Sequence, residues 1–289
     1  MTARLRRFLG IRLGVLDQHP PRPLDVPDCA APSKLEPDLP VISLVTPSFN
    51  QGQYIGETVR SVLGQHYSKL EYVIQDACSS DNTGQVLAQF PVDAFFLVRE
   101  RDTGQADAIN RGFARSQGEI MGWLNSDDFL MPGSLCKIGA YFRDNPEVDV
   151  VYGDRVVVNE HGLKIGMWAL PGHDVEVLRQ VDYIPQETMY WRRRLWDRAG
   201  GQVDASLKFA MDWELLLRFS AAGAKFAHLP VVLGAFRVHS AQKTSAQMSS
   251  VGFDEIRRLR QQYGGGCFTR LRRRVRHMQF LARHWVNNY

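Results

Sequence analysis

Residues 41–124 alternate short apolar segments with amphipathic helices, and this alternation restricts the fold more than any other feature. The apolar segments, which we predict to be strands, span 41–46, 70–75, 94–98 and 119–124. Helices are predicted between them over 53–66, 81–90 and 105–116. Buried strands appear as short apolar runs, whereas a helix repeats its apolar residues every three or four positions. The order predicts an α/β fold whose mostly parallel sheet is flanked by helices, with ligands at the carboxyl ends of the strands.

The rest of the sequence has a less regular pattern. A helix is predicted from Pro132 to about Asn145, then strands near 148–153 and 155–159, then a mixture of helices and short strands to about 240. Residues 18–40 carry seven prolines, which is typical of a linker or a surface strap. We therefore predict one domain with two halves and an extension at each end, with bounds at 1–40, 41–130, 131–245 and 246–289.

The composition excludes several classes of protein. A chain of 289 residues with 44% hydrophobic and 23% charged residues has globular proportions. Its four cysteines form no Cys-x-x-Cys pair, which argues against a zinc ribbon or a redox dithiol and favours a reducing compartment. No stretch reaches the roughly 18 apolar residues that span a bilayer. We therefore expect a cytoplasmic protein.

Positive charge is concentrated at the two ends of the sequence. Residues 256–289 carry nine arginines and no acid, and residues 1–24 carry a net charge of +4, whereas residues 25–255 carry −9. Both ends interleave arginine with large apolar residues such as Phe280 and Leu281. Basic amphipathic segments suit an anionic membrane surface, so we expect a peripheral position on the inner face of the cell membrane. Nucleic acid is the competing polyanion, but the acidic body argues against it.

Polar loops follow three of the predicted strands, where the α/β pattern places ligands. These loops are 46–50, 76–83 and 125–128, and the last contains the adjacent carboxylates of Asp127 and Asp128. Adjacent carboxylates at a buried strand end repel each other, and a divalent cation shared with substrate phosphates relieves that repulsion. The alternative is that the two aspartates only begin a turn and cap the next helix. The polar loop at Asp76, on a neighbouring strand, favours the metal.

Several common nucleotide-binding and hydrolase motifs are missing from the sequence. It contains neither Gly-x-x-x-x-Gly-Lys-Ser/Thr nor Gly-x-Gly-x-x-Gly, the loops that cradle phosphates in P-loop enzymes and dinucleotide-binding folds. Gly-x-Ser-x-Gly is absent as well. A P-loop NTPase, a kinase, a nicotinamide enzyme and an α/β-hydrolase are therefore disfavoured.

Residues 41 to about 240 resemble the nucleotide-sugar-dependent glycosyltransferases of family 2, which have the GT-A fold. The resemblance is carried by four stretches in the same order, VISLVTPSFNQGQYIGETVRSVLGQHY, LEYVIQDACSSDNT, RDTGQADAINRGFARSQGEIMGWLNSDDFLMPGSL and MDWELLLRF. Each stretch alone is a weak signal, and their order over about 200 residues makes it specific. The resemblance implies a Rossmann-like mixed sheet and a nucleoside diphosphate sugar as donor.

The resemblance also implies roles for residues on the donor side. Pro47 and Ser48 would line the nucleotide pocket, and Asp76 would hydrogen-bond the base. Asp102 and Asp107 would lie near the nucleotide and the sugar. We also expect Asn50, in the loop after the first strand, to contact the donor.

The family's Asp-x-Asp metal motif falls on Asn125-Ser126-Asp127, followed by Asp128. Asn125 departs from that pattern, because its amide accepts hydrogen bonds but brings no charge. We therefore expect Asn125 to bind donor, Asp127 to be the first metal ligand and Asp128 to support it. His239, in an Arg-x-His sequence shared with many members, would contact the diphosphate or the metal. The expected metal is Mn²⁺ or Mg²⁺.

The stretch MDWELLLRF supplies the expected catalytic base. Direct displacement needs a carboxylate that takes the proton of the acceptor hydroxyl, and the family's Glu-Asp pair aligns with Met211 and Asp212. Asp212 is therefore the expected base, although the preceding glutamate is missing. The alternative is that Asp212 caps a helix over 213–222. On the acceptor side, the resemblance implies Gln186 and Trp213.

The sequence as a whole predicts a metal-dependent, inverting glycosyltransferase. It would move a sugar, with a UDP-sugar as the expected donor, to a hydroxyl of a lipid-linked saccharide or a bacterial surface polysaccharide. A sugar nucleotidyltransferase is a rival, but its Gly-rich phosphate loop has no counterpart in TPSFNQGQ. A non-catalytic nucleotide-sugar-binding protein is the second rival, since Met211 and Asn125 depart from the family pattern.

Overall fold

The computed structural model describes residues 14–25, 38–240, 251–264 and 275–284. Its strands are β1 (Ile42–Ser48), β2 (Leu70–Asp76), β3 (Phe96–Arg99), β4 (Ile120–Trp123), β5 (Phe129–Leu130), β6 (Val150–Asn159), β7 (Lys164–Trp168), β8 (Tyr190–Arg192) and β9 (Phe226–Val238). Its α-helices are α1 (Ile55–Leu63), α2 (Thr83–Leu87), α3 (Gln105–Phe113), α4 (Ser134–Asp144), α5 (Val175–Leu178), α6 (Arg193–Arg198), α7 (Met211–Ala221) and α8 (Phe253–Tyr263). Residues 186–188 form a 3₁₀ turn, and residues 275–284 are helical.

All nine strands belong to one mixed sheet with the order β3-β2-β1-β4-β8-β6-β9-β5, and β7 pairs with β6. The first four strands along the path run parallel. Strand β8 then pairs antiparallel with both β4 and β6, whereas β6 and β9 run parallel. The predicted α/β fold with a mixed, mostly parallel sheet is confirmed, and the parallel half brings the ends of β1, β2 and β4 to one edge.

The second half of the sheet differs from the sequence prediction. The strands expected near 148–153 and 155–159 are one strand, β6, whose register against β9 shifts on both sides of Asp154. The 13-residue β9 is longer than the short strands expected up to about 240, and it contains Pro230, which is unusual in a central strand. The register shift lies opposite Pro230, since Gly153 pairs with Leu229 and the next pair joins Asp154 to Val232. This irregularity lets a proline lie inside a long strand.

Side chains of the parallel strands alternate between two hydrophobic layers. In β1, Leu44 faces the layer formed with α1 and α4, whereas Val45 faces the layer formed with α3 and α7. Successive residues of a strand point to opposite faces of the sheet. The near-continuous burial of β1 follows from helices that cover both faces.

The described parts of the two extensions pack against the domain. Arg22 bridges to Lys164 of β7, so the segment 14–25 is a surface strap rather than a free linker. Leu259 of α8, together with Phe280 and Leu281, belongs to the hydrophobic layer that contains α7. Phe280 and Leu281 are therefore core residues, which corrects our expectation that they face a membrane.

Among the described residues no helix is long and apolar enough to cross a bilayer. The other apolar residues predicted at the two ends fall mostly outside the described residues.

The contact between α3 and β1 generates a stability prediction. An ideal Cβ placed on Gly112 would lie 2.4 Å from Val45 Cγ1, and valine cannot move aside easily. Gly112→Ala should therefore lower the free energy of unfolding by about 1–3 kcal/mol, despite its better helix propensity. Urea denaturation measures this change. Gly84→Ala is the matched control, because its Cβ would meet only ordinary contacts near Arg99. Equal stability of the two variants would contradict the proposed close packing.

Candidate active site

A cavity of about 770 Å³ opens where β1 and β4 end. Its walls include residues from the loop after β1, the turn after β4, the 3₁₀ turn and the start of α7, namely Pro47, Ser48, Asn125, Asp127, Gln186 and Asp212. The strap contributes Gly14 and Leu16, and α8 contributes Ile256 and Arg260. The cavity therefore joins both halves of the domain and both extensions.

The predicted donor-side residues fall into two groups. Pro47, Ser48 and Asp102 line the cavity, and the buried Ser48 hydroxyl has no hydrogen-bond partner within the described residues. Asn50 and Asp76 are not among the described lining residues. The Asn50 side chain accepts a hydrogen bond from the amide of Ser80, at 2.9 Å. This bond joins the loop after β1 to the loop after β2, so Asn50 supports the cavity wall without being one of its described lining residues.

Asp76 and Asp107 are both held by protein groups. The buried Asp76 carboxylate accepts hydrogen bonds from Ser79 and, at 3.2 Å, from Arg99 Nε. Asp107 accepts from Thr103 and forms an i, i+4 ion pair with Arg111 at 3.0 Å. Hydrogen bonds from Arg111 lower the pKa of Asp107. Both carboxylates shape the loops beside the cavity, and their contacts with a donor stay a prediction.

Asp128 is engaged on both carboxylate oxygens. Oδ1 accepts from the backbone N–H of Arg237 at 2.9 Å, and Oδ2 accepts from the Asn125 amide at 3.2 Å. Gln105 Nε2 in turn donates to Asn125 Oδ1 at 2.7 Å. Burial and the neighbouring charge of Asp127 raise the pKa of Asp128 well above its usual value. Asp128 therefore fixes the turn, and these bonds count against its predicted role as a metal ligand.

Asp127 and His239 form the pair best suited to hold a cation. Asp127 Oδ2 lies 3.0 Å from His239 Nε2, and the histidine ring packs 4.6 Å from the Tyr54 ring. Among the described residues, no group of three or more His, Cys, Asp and Glu side chains is arranged to hold a metal. Mg²⁺-type sites commonly use one or two protein ligands and complete the shell with substrate phosphates and water. The residues fit such a shared site rather than a cage made by protein alone.

Arg237 holds this turn against β9, a role that sequence reasoning missed. Its side chain is 2% exposed, and Nε donates to the backbone oxygen of Asp127 at 2.9 Å. The guanidinium also pairs with Glu57 of α1 and lies over the ring of Tyr54. The Arg-x-His sequence was a signal for His239, but nothing in it indicated the partners of the arginine.

Asp212 is the second residue of α7, which begins at Met211. The alternative, that Asp212 only caps a helix over 213–222, was therefore wrong. The N-cap residue is Ala210, and Asp212 Oδ1 accepts from its neighbour's amide, Trp213 N, at 2.8 Å. Burial raises the pKa of Asp212, and the positive charge of Arg155 opposes that rise. The carboxylate lines the cavity with a raised proton affinity, as a general base requires.

Three charged residues near Asp212 were not predicted as site residues. Arg155 Nε lies 3.2 Å from Glu187 Oε1, and its guanidinium lies over the rings of Trp168 and Phe236, at 4.3 and 4.6 Å. Asp182 is exposed and lines the same cavity, close enough to Asp212 for the two charges to interact. Glu187 could have been identified, because it directly follows the predicted Gln186. Arg155 lies in the middle of β6, and nothing in the sequence around it indicated a role in the site.

The predicted acceptor-side residues, Gln186 and Trp213, both line the cavity. Gln186 Nε2 donates to the backbone oxygen of Trp123 at 2.7 Å, and its buried Oε1 has no partner within the described residues. Trp213 is almost completely buried and donates its indole N–H to Leu178. Each side chain is therefore fixed in the cavity wall by a bond to a backbone oxygen, Gln186 to Trp123 and Trp213 to Leu178.

Comparison with known proteins identifies the domain. The family model described as glycosyl transferase family 2 matches residues 43–221. The O-antigen biosynthesis protein RfbC of Myxococcus xanthus is 28% identical over 211 residues, which cover 71% of this chain and 16% of that protein. The chain therefore spans less than a fifth of the length of that relative.

Solved structures share the fold at low sequence identity. S. aureus TarS 1–349 in complex with UDP-GlcNAc superposes with a TM-score of 0.60 and 20% identity, over 76% of this chain and 65% of that one. The mannosyltransferase PcManGT from Pyrobaculum calidifontis, in complex with GDP-Man and Mn²⁺, has a TM-score of 0.58 and 21% identity over 82% and 68%. At this identity the likeness establishes the GT-A fold alone.

The buried contacts of Arg237 generate a prediction. Arg237→Met would leave the backbone oxygen of Asp127 without its donor and Glu57 without its cation, so the free energy of unfolding should fall by about 2–4 kcal/mol. Chemical denaturation measures the loss. Arg194→Met is the matched control, because the Arg194 side chain is 53% exposed and pairs with Asp149, so it should cost less than about 1 kcal/mol. Equal losses in both variants would refute the special role of Arg237.

Proposed function

The chain belongs to glycosyl transferase family 2, and we propose that it transfers a sugar from a nucleoside diphosphate sugar to an acceptor hydroxyl with inversion. One observation carries the proposal: a single cavity is lined by the loop after β1, the turn with Asp127 and the raised-pKa carboxylate of Asp212. The first two are the proposed donor side, and the third is the proposed base. The bounds predicted for the domain and its extensions are part of the same proposal.

The proposed reaction is a direct displacement. The acceptor oxygen attacks the anomeric carbon, the bond from that carbon to the diphosphate oxygen breaks, and the acceptor proton passes to the Asp212 carboxylate. Gln186 would line the acceptor side, with Trp213 supporting the wall. Attack from the side opposite the leaving group inverts the configuration at the anomeric carbon. Most of the catalysis would come from holding donor and acceptor in line.

We assign the donor side to residues of the parallel half. Pro47 and Ser48 would contact the nucleotide, since both residues line the cavity. Asp102 and Asn125 would bind the ribose and the diphosphate region. Asp76, Asp107 and Asn50 would support these contacts from the adjoining loops.

Asp127 and His239 would hold a Mn²⁺ or Mg²⁺ ion beside the diphosphate, and Asp128 would support them from the turn. Such an ion, when bound, neutralises the negative charge that develops on the leaving diphosphate. Asn125 brings no charge to the site, so we expect weak metal binding until the donor phosphates contribute ligands.

The comparisons suggest a class of donor and acceptor. A UDP-sugar donor agrees with the UDP-GlcNAc bound to TarS, and a role in polysaccharide synthesis agrees with the name of RfbC. A cytoplasmic position on the inner membrane face stays a prediction. Phe253, Val275 and Met278 are exposed apolar residues on the arginine-bearing C-terminal helices, and they are the described residues that suit such a surface.

A donor panel tests the proposed activity. The chain should release one nucleoside diphosphate from a panel of UDP-, GDP- and dTDP-sugars, with release supported by Mn²⁺ or Mg²⁺ and abolished by a chelator. Asp127→Ala should reduce the rate by about 100-fold or more, because the departing charge loses its stabilisation. Chromatography of the released nucleotide measures the rate.

The control for Asp127 is Asp144→Ala, an exposed carboxylate on α4 paired with Arg143, which should leave the rate unchanged. Nucleotide binding without turnover, with candidate lipid-linked acceptors also present, would favour the non-catalytic alternative. If the chain bound no nucleotide in the panel, the proposed function would be refuted.

The pH profile tests Asp212 as the base. Asp212 accepts a proton only when it is ionised, so kcat should fall as the pH drops through its raised pKa. Arg155 lowers that pKa, and Arg155→Met should therefore move the acidic limb of the kcat profile to higher pH. Arg194→Met should leave the limb in place, because Arg194 pairs with Asp149 and is not among the described lining residues. A limb that stays still or moves to lower pH in Arg155→Met would exclude this electrostatic link.

A further inference from the structure

Glu255 of α8 makes an unusual set of hydrogen bonds with the chain that leads into α7. Its carboxylate accepts three consecutive backbone N–H groups: Oε1 accepts from Lys208 at 2.8 Å, and Oε2 accepts from Phe209 and Ala210, each at 2.9 Å. Glu255 is 5% exposed. A buried carboxylate with three amide donors fixes the backbone of all three residues.

The three amides lie directly before the proposed base. Ala210 is the N-cap residue of α7, and it offers no side chain to cap the helix. Glu255 supplies from another helix the negative charge that a helix N-terminus favours. Within the described residues no other side chain hydrogen-bonds Asp212, and its Oδ1 accepts from the adjacent amide of Trp213. The direction of the Asp212 carboxylate therefore depends on the backbone that Glu255 holds.

Further contacts keep α8 beside α7. Leu259 is buried in the same hydrophobic layer as α7, and Tyr263 donates its hydroxyl to Glu214 at 3.2 Å. Arg260 donates to the backbone oxygen of Gln180 at 2.8 Å and lines the cavity. These contacts hold the part of α8 that follows Glu255, which gives the carboxylate a fixed position.

We propose that Glu255 is a positioning residue, through which the C-terminal helix α8 aligns Asp212 with the acceptor hydroxyl. This inference rests on the proposed function, since it assigns Asp212 the role of base. It makes α8 part of the working site rather than a separate basic extension. Glu255 itself touches no substrate in this arrangement.

The experiment compares Glu255→Gln with Asp254→Asn. Glutamine keeps one acceptor oxygen and turns an NH₂ group toward the backbone amides, so at least one of the three bonds is lost. Asp254 precedes it on the same helix, is exposed, and pairs with Arg257 outside the cavity. For each variant, kcat is divided by the number of nucleotide-binding sites measured by calorimetry, which removes the effect of any unfolded fraction.

Glu255→Gln should lower kcat per site by about tenfold or more, because a small displacement of the base has a large effect on proton transfer. The nucleotide Kd should stay within about twofold, since the donor loops lie in the other half of the domain. Asp254→Asn should match the unsubstituted chain in both quantities. An unchanged kcat per site in Glu255→Gln would overturn the proposal.

A second arm separates positioning from general damage. Glu255→Gln is added to Asp212→Asn, and the residual rates of the single and double variants are compared. If Glu255 acts through Asp212, the double variant keeps the rate of Asp212→Asn within about twofold. If the two losses multiply, Glu255 acts elsewhere and the positioning role is refuted.

Hydrogen exchange distinguishes failure of this inference from failure of the proposed function. The amides of residues 208–210 should exchange at least about tenfold faster in Glu255→Gln than in Asp254→Asn, since their acceptor is weakened. Unchanged exchange overturns the inference whatever the activity. If exchange rises but the unsubstituted chain turns over no donor, the proposed function fails and the role of Asp212 as base fails with it.

Discussion

The site depends on one buried arginine. Arg237 crosses from β9 to the turn after β4, where its backbone N–H binds Asp128 and its guanidinium binds the carbonyl of Asp127 and the carboxylate of Glu57. A buried guanidinium is costly unless its donors are matched, and here they join a strand, a turn and a helix that are far apart in sequence. Because His239 follows two residues later, the same strand sets the distance between His239 and Asp127.

The two halves of the sheet differ in how far sequence reasoning could reach. The parallel half could be predicted because its strands are short apolar runs separated by helices with clear periodicity, so each element is defined by nearby residues. The half beyond β4 could not, because Pro230 lies inside β9 and is tolerated only where the register against β6 shifts. That compensation comes from Gly153 and Asp154, about 75 residues away, and no local pattern shows it.

The same division holds within the site. Asp127, Asp212 and Gln186 were identified by resemblance, and all three line one cavity. Arg155 and Glu255 were missed because their importance comes from partners in other segments: Arg155 lies against Glu187 and two aromatic rings, and Glu255 binds amides 45 to 47 residues earlier in the chain. A motif identifies residues by their type and spacing, whereas the roles of Arg155 and Glu255 arise from contacts with residues far away in the sequence.

The carboxylates around the cavity lower the stability of the folded chain at neutral pH. Burial raises the pKa of Asp128, Glu187 and Asp212, and the positive charge of Arg155 opposes the rise at all three. A carboxyl whose pKa is higher in the folded state binds more protons there, so its contribution to stability falls as the pH rises above the unfolded value near 4. At neutral pH these groups therefore oppose folding. A set of acids that destabilises its own fold but faces one cavity is the pattern of a site selected for chemistry, because the raised proton affinity that weakens the fold is what a base needs.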